Sequence, residues 1–253
     1  MIQIETIAGL DLPPEEVRAV VEEAAKSAFA VMVFSPLTQT LGSGFAIGPE
    51  PVEGIVTAKH VVDPVLIPGT GDTVPGTAMR VRSLVGPGNY QGTYLKAVAK
   101  DYDIALLEVP AGVKPLEWGD SENLQVGDYV IVLAAPNTIS QGFASYAGIG
   151  RILSVSTVTP DLFRYEVPVQ PGSSGGPVLI LDTEGKVVGI NLLQERLGDR
   201  VVGGGLKAHV IRAVLAGRPV QRPIPFLVPE GLTWGDAMLI GAGFALAWYL
   251  ISR

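Results

Sequence analysis

Three short strings hold the residue types that hydrolytic chemistry needs. Thr57-Ala58-Lys59-His60-Val61 places an imidazole directly after a strand-like run. Asp101-Tyr102-Asp103-Ile104-Ala105-Leu106-Leu107 opens such a run with an acid, and Pro171-Gly172-Ser173-Ser174-Gly175-Gly176-Pro177 is a glycine-dense loop carrying serine hydroxyls. A serine between glycines can sit in a tight turn with its hydroxyl projecting, because glycine adopts backbone angles that other residues avoid. Backbone N–H groups in such a turn can converge on one point, which suits the oxyanion formed during acyl transfer. No Lys-Ser or Lys-Thr pair follows the glycines, so the loop is not a phosphate loop. Singly, each string has an ordinary structural reading: a glycine turn, a histidine at a strand end, an acid at a strand entry. Together they offer a hydroxyl, a base to deprotonate it and an acid to hold the base's tautomer. The other histidine, His209, falls in a helix-like segment and reads as structural.

The elements that carry these strings are mostly short strands. Between residues 28 and 202, runs rich in Val, Ile, Leu and Tyr alternate with Gly, Pro, Asn and Asp clusters. Strands are expected at 29–34, 43–47, 54–57, 79–85, 92–99 and 104–109, then at 128–134, 143–153, 162–167, 178–181 and 187–192. The stretch from Val113 to Gly127 divides the two sets, so the fold class is mainly β, two antiparallel barrels of similar size. Residues 28–115 form the first barrel in this reading and 116–206 the second. Before them, residues 1–27 are an N-terminal helical segment, with Leu12-Pro13-Pro14 starting the helix and Val17, Val20, Val21, Ala24 and Ala25 on one face. After them, 207–217 is a helix closed by Gly217.

Composition removes other classes. The 253 residues include 47% hydrophobic and 17% charged types, too apolar for intrinsic disorder. Zero cysteines and two histidines exclude disulfide frameworks, thiolate zinc sites, cysteine nucleophiles and histidine-rich metal clusters. A net charge of −7 argues against nucleic acid as a partner, since that affinity comes mostly from neutralising backbone phosphates. The mean hydropathy of +0.37 is high for a soluble chain. Its source is the end of the sequence. Residues 218–231 are a proline-rich linker (Pro219, Pro223, Pro225, Pro229), and 232–251 is apolar apart from Asp236. Twenty helical residues span about 30 Å, the hydrocarbon thickness of a bilayer. Trp234 stands at one end and Trp248 and Tyr249 near the other, as interfacial aromatics do. The segment is therefore read as a single transmembrane helix that anchors the chain to a lipid bilayer. Its small pairs Gly241/Ala245 and Gly243/Ala247 suit helix self-association. Arg218 and Arg222 precede it and only Arg253 follows, which puts the body on the cytoplasmic face. The first apolar run follows a charged segment instead of a short basic one, which reads against a secretory leader.

Four strings in order, Gly42-Ser43-Gly44-Phe45, Thr57-Ala58-Lys59-His60-Val61, Asp103-Ile104-Ala105-Leu106-Leu107 and Gly172-Ser173-Ser174-Gly175-Gly176-Pro177, resemble the signature of trypsin-like serine proteases. More narrowly they resemble the HtrA/Deg group, whose link between barrels is similar to Leu116-Glu117-Trp118-Gly119-Asp120-Ser121 followed by Val126-Gly127-Asp128. Gly185-Lys186-Val187-Val188-Gly189-Ile190-Asn191 resembles the group's strands after the nucleophile loop. The resemblance covers roughly residues 28–216. It implies two six-stranded β-barrels with the active site between them, and peptide-bond hydrolysis through an acyl-enzyme, with no cofactor and no metal. In it His60 is the general base, Asp103 its orienting acid and Ser174 the nucleophile, and the amides of Gly172 and Ser174 form the oxyanion hole. Its members often trimerise, which adds a homo-oligomer to the expected partners, protein or peptide substrates. Pro168 occupies the place where basic-specific relatives carry an acid, and Leu192 and Leu206 would line the pocket, so cleavage after small or medium apolar residues is expected. The sequence departs from the group in four ways. No PDZ-like region is legible after residue 216, the anchor stands at the opposite end from that of many relatives, and Ser173 replaces an aspartate of proteolytically activated relatives. Leu192 falls where relatives often place a Ser or Thr that hydrogen-bonds the acid, a loss of about 1 kcal/mol in orientation. The competing reading is a catalytically silent protease fold that binds peptides at a membrane.

Overall fold

The computed structural model of the protein describes residues 2–7, 14–36, 38–67, 73–85, 89–135, 145–155, 161–167, 170–182, 184–197 and 200–218. The chain begins with strand β1 (Ile2–Thr6) and helix α1 (Pro14–Ala25). A first set of strands follows: β2 (Ala28–Phe34), β3 (Gln39–Ile47) and β4 (Gly54–Thr57), the one-turn helix α2 (Lys59–Val62), then β5 (Ala78–Ser83), β6 (Gln91–Thr93), β7 (Leu95–Val98) and β8 (Ala105–Leu107). The second set is β9 (Tyr129–Ala134), β10 (Ser145–Val155), β11 (Leu162–Glu166), β12 (Pro177–Ile180), β13 (Val187–Leu197) and β14 (Arg200–Lys207), closed by helix α3 (Ala208–Leu215).

The second set forms the sheet β1-β10-β11-β14-β13-β12-β9, and a further ladder between β10 and β9 closes its last six strands into a barrel. Alternating side chains fill it: Val130 and Val132 of β9, Phe163 and Tyr165 of β11, Val178 of β12 and Val188 of β13 share one buried cluster. Each such burial is worth about 1.5–3 kcal/mol. Outside the closed barrel, β1 lies parallel to β10, from Ile2 opposite Ser145 to Thr6 opposite Ile149. The reading of residues 1–27 as helical is corrected at this strand.

The first set forms the sheet β6-β5-β2-β3-β4-β8-β7. It is a half-barrel, not the second closed six-stranded barrel expected. Its outer strands β6 and β7 flank Tyr94, 74% exposed, and no ladder joins them. The cause is local. Thr93 Oγ1 donates to the Glu108 carbonyl at 2.7 Å and the Glu108 amide donates to the Tyr94 carbonyl at 2.8 Å, and the register with β8 slips between Leu95 and Ala97. The two sheets are strapped by the segment between them. Leu116 bridges to Ile47 of β3 and Trp118 to Val187 of β13, while Trp118 meets Phe45 edge-on at 6.1 Å. This fixes how β3 and β4 face the second barrel.

α1 has Glu15 and Glu16 in its first turn, where the helix dipole favours negative charge, and buries Val17, Val21, Ala24 and Ala25. α3 buries Val210 and Ile211. Among the described residues no helix is long and apolar enough to cross a membrane; residues 219–231 of the linker and the segment 232–251 lie outside them.

Candidate active site

β4 is buried at all four residues, and the chain leaves it through an extended Ala58 into α2, whose second residue is His60. Val61 and Val62 bury themselves and hold this turn, and Thr40 Oγ1 donates to the Val61 carbonyl at 2.6 Å. β8 is the antiparallel neighbour of β4, with Ala105 opposite Thr57, so the acid two residues before Ala105 arrives beside the histidine three after Thr57. The His60 amide donates to Asp103 Oδ1 at 2.8 Å, and Nδ1 meets Oδ2 at 2.7 Å. Only 9% of the His60 side chain and 6% of that of Asp103 are exposed. The carboxylate accepts, so Nδ1 carries the proton and Nε2 is left with a free lone pair. Nε2 is buried and has no hydrogen-bond partner among the described residues, so the Ser174 hydroxyl does not close a bond to it here.

The electrostatics favour a base that charges readily. Burial opposes the imidazolium, but the hydrogen bond and charge of Asp103, with the charge of Asp63 added, outweigh it and raise the His60 pKa above the ordinary imidazole value. Burial also holds the Asp63 carboxyl above the usual carboxylate range, against the pull of Lys59. Leu192 does supply no hydroxyl to Asp103, yet both carboxylate oxygens are engaged, each by a different N–H of His60. The acid is thereby oriented without a serine or threonine.

The Ser174 loop joins the barrel wall to the half-barrel. Gly172 and Gly175 take positive φ angles of 95° and 86°, open to glycine and costly to other residues. The amide of Ser173 and that of Gly176 close the turn on the carbonyls of Gln170 and Ser173, both at 3.0 Å. β13 grips it from one side: the Gly175 amide donates to the Asn191 carbonyl at 2.7 Å and the Asn191 amide to that of Gly176 at 2.8 Å. β3 grips it from the other, where the Ser43 amide donates to the Ser174 carbonyl at 2.7 Å. Among the described residues, the amides of Gly172 and Ser174 donate to no backbone carbonyl. A methyl on Gly175 would come 2.2 Å from the Ser43 carbonyl oxygen, 2.6 Å from Thr57 Oγ1 and 2.7 Å from the Ala58 amide nitrogen. The residue after Ser174 thus lies against the strand end that leads to His60. Gly175→Ala is expected to destabilise the fold by about 3 kcal/mol, strain at positive φ adding to overpacking against backbone. The denaturation midpoint of the variant measures this.

The sequence profile of the trypsin-like peptidase domain matches residues 42–190, more than half of the chain and all three strings. The chain belongs to the trypsin-like peptidase domain family. Among curated relatives it is 30% identical to the serine protease Do-like HtrA of Bacillus subtilis (strain 168) over 156 residues, covering 53% of this chain and 34% of that protein. It is 31% identical to the serine protease HTRA3 of Homo sapiens over 164 residues, covering 62% and 34%. The chain therefore spans about a third of the length of these relatives. Among solved structures it superimposes on the active form of the Rv3671c protease from M. tuberculosis with a TM-score of 0.62 at 22% identity, covering 88% of this chain and 92% of that one. The serine endoprotease from Yersinia pestis gives 0.63 at 20%, covering 83% and 69%. At these identities the likeness is one of fold.

Within this trypsin-like domain, the expected pocket residues separate. Leu192 is the extra residue where the β13–β14 register shifts, between Asn191 and Leu193, and it packs against the hydrophobic clusters of both sheets. Leu206 is 3% exposed, opposite Ile190 and Leu162, in the cluster that also takes in Val210 and Ile211 of α3 and not in the one that fills the barrel. Pro168 lies outside the described residues. His209 is engaged by Ser121, whose Oγ sits 3.0 Å from Nδ1 and accepts from the His209 amide at 2.9 Å. Three contributors escaped the sequence reading. Ser43 and Asn191 flank the Ser174 loop, and Asp63 adds charge beside His60. Asp63 had a signal, its position one helical turn after His60. Asn191 stands at the end of a string the sequence singles out, but it meets the loop through its backbone, which its residue type does not announce; its carboxamide accepts from Tyr165 Oη at 2.5 Å.

Proposed function

We propose that the protein is a serine endopeptidase in which His60 takes the Ser174 proton, Asp103 holds the imidazole, and the amides of Gly172 and Ser174 receive the oxyanion. The observation that carries this reading is the His60–Asp103 pair with Nε2 left open, just after the strand end against which the Ser174 loop is packed. Attack of Ser174 Oγ on the scissile carbonyl forms the tetrahedral adduct as its proton passes to Nε2. That proton then goes to the leaving amine, and water repeats the sequence to release the acyl group. The names of the HtrA and endoprotease relatives support protein substrates. Leu192, at the seam of the two hydrophobic clusters, favours small or medium apolar residues before the cut. Incubating the full chain with an unfolded protein and reading the new C-termini by mass spectrometry tests this: they should be mostly Ala, Val, Leu or Ile. Mostly Lys or Arg ends would refute the pocket assignment.

The anchor belongs to the same proposal. Residues 232–251 hold the body at a bilayer as a single C-terminal pass, with the body on the cytoplasmic face and self-association through the small-residue pairs. The support is the apolar run with its terminal aromatics and the flanking arginines. The full chain is expected to float with lipid vesicles and to resist carbonate extraction. The double variant Leu239→Arg, Phe244→Arg should stay at the bottom of the gradient, since each central arginine costs about 2.5–3.5 kcal/mol of insertion. Equal flotation of both proteins would rule out the span.

A further inference from the structure

Ser43 is 1% exposed and sits between two glycines of β3, in the half-barrel that carries His60 and Asp103. All its polar groups are engaged, and they reach three different parts of the molecule. Its amide donates to the Ser174 carbonyl at 2.7 Å, and its hydroxyl donates to the Gly172 carbonyl at 2.7 Å. The same hydroxyl accepts the amide of Ala135, which follows β9 of the second barrel, at 2.9 Å. Its carbonyl accepts Thr57 Oγ1, three residues before His60, at 2.7 Å. Within residues 172–176, Gly172 and Ser174 are the two whose amides make no backbone bond among the described residues. Their carbonyls are the groups Ser43 ties down. A peptide plane is rigid, so holding the carbonyl of a residue limits rotation about its own Cα. Gly172, at φ 95°, has the freedom to rotate if it is released.

We propose that Ser43 is a positioning residue: it holds the Gly172–Ser174 backbone in the arrangement that leaves both amides free for the oxyanion, and ties that arc to the strand bearing the base. The proposal rests on the serine endopeptidase reading. Its consequence is specific. Losing the hydroxyl leaves the part-buried Gly172 carbonyl and the buried Ala135 amide without this partner, and Gly172 is then free to turn. Transition-state stabilisation suffers, while ground-state contacts made elsewhere in the cleft do not.

The test uses the full chain with Ser43→Ala and Ser43→Cys, the second keeping the side-chain volume with a weak donor. Rates are expressed per active site titrated with a burst substrate, so that loss of folded protein does not enter. For a peptide substrate, kcat should fall about tenfold to a hundredfold in both variants, with KM within about twofold of wild type. Affinity for a peptide boronate should fall by the same factor as kcat/KM. Wild-type kcat per titrated site in either variant, or a loss confined to KM, overturns the role of Ser43. Ser174→Ala is run alongside: if it keeps wild-type turnover, the serine endopeptidase reading itself is wrong, whereas an inactive Ser174→Ala beside fully active Ser43 variants removes Ser43 alone.

Discussion

His60→Ala should lower kcat by about 10⁶-fold, close to the loss in Ser174→Ala and in the double variant, because members of such a unit fail together. The structure gives the reason. Oriented only by Asp103, the imidazole has one open nitrogen, Nε2, and it is buried away from water that could substitute as base. A serine hydroxyl at neutral pH is a weak nucleophile without that acceptor. Non-additivity is the check: assayed on one peptide, the two single variants and the double should agree within about tenfold. If the double variant lost the product of the single losses, the two residues would be acting independently.

Asp103→Asn should cost about 10⁴-fold in kcat and move the pH profile as well. An asparagine presenting its amide to Nδ1 would donate where the carboxylate accepts, forcing the proton to Nε2 and removing the base. Direction follows from the electrostatics. The hydrogen bond and charge of Asp103 raise the His60 pKa against the effect of burial. Activity needs neutral His60, so in the wild type the acid limb of kcat/KM should lie above the ordinary imidazole pKa of about 6.5. In Asp103→Asn the raising influence of the charge is gone and burial remains, so the residual activity should persist to lower pH. Asp63→Asn, which removes only a weaker charge, should displace the limb in the same sense by less, with kcat nearly kept. A limb that stayed in place in both variants would mean the titrating group is not His60.

His60 and Asp103 are legible in the sequence because each sits at a strand boundary: β4 into α2, and the entry of β8. The register that pairs Thr57 with Ala105 joins two short runs buried at every residue. β14 was invisible for a physical reason. Its Gly203-Gly204-Gly205 core has no strand propensity, yet a methyl on Gly203 would sit 2.1 Å from Tyr165 Cε2. The aromatic rings of β11 supply the volume that the glycines lack, and no local rule anticipates that exchange. β1 is five residues with two isoleucines, too short to signal a strand, and it exists through parallel pairing with a strand about 140 residues away. The run 92–99 reads in sequence as one strand, while Tyr94 divides it into β6 and β7. Ser43 stood inside a recognised string without a role, since its four bonds all go to residues distant in sequence.

Peptide mapping after reaction of the full chain with a fluorophosphonate probe tests most directly whether one serine has been activated by this arrangement. The adduct should map to Ser174 alone, vanish in Ser174→Ala and in His60→Ala, and slow with falling pH as His60 becomes protonated. Labelling at Ser173 or another serine, or equal labelling in the absence of His60, would contradict it.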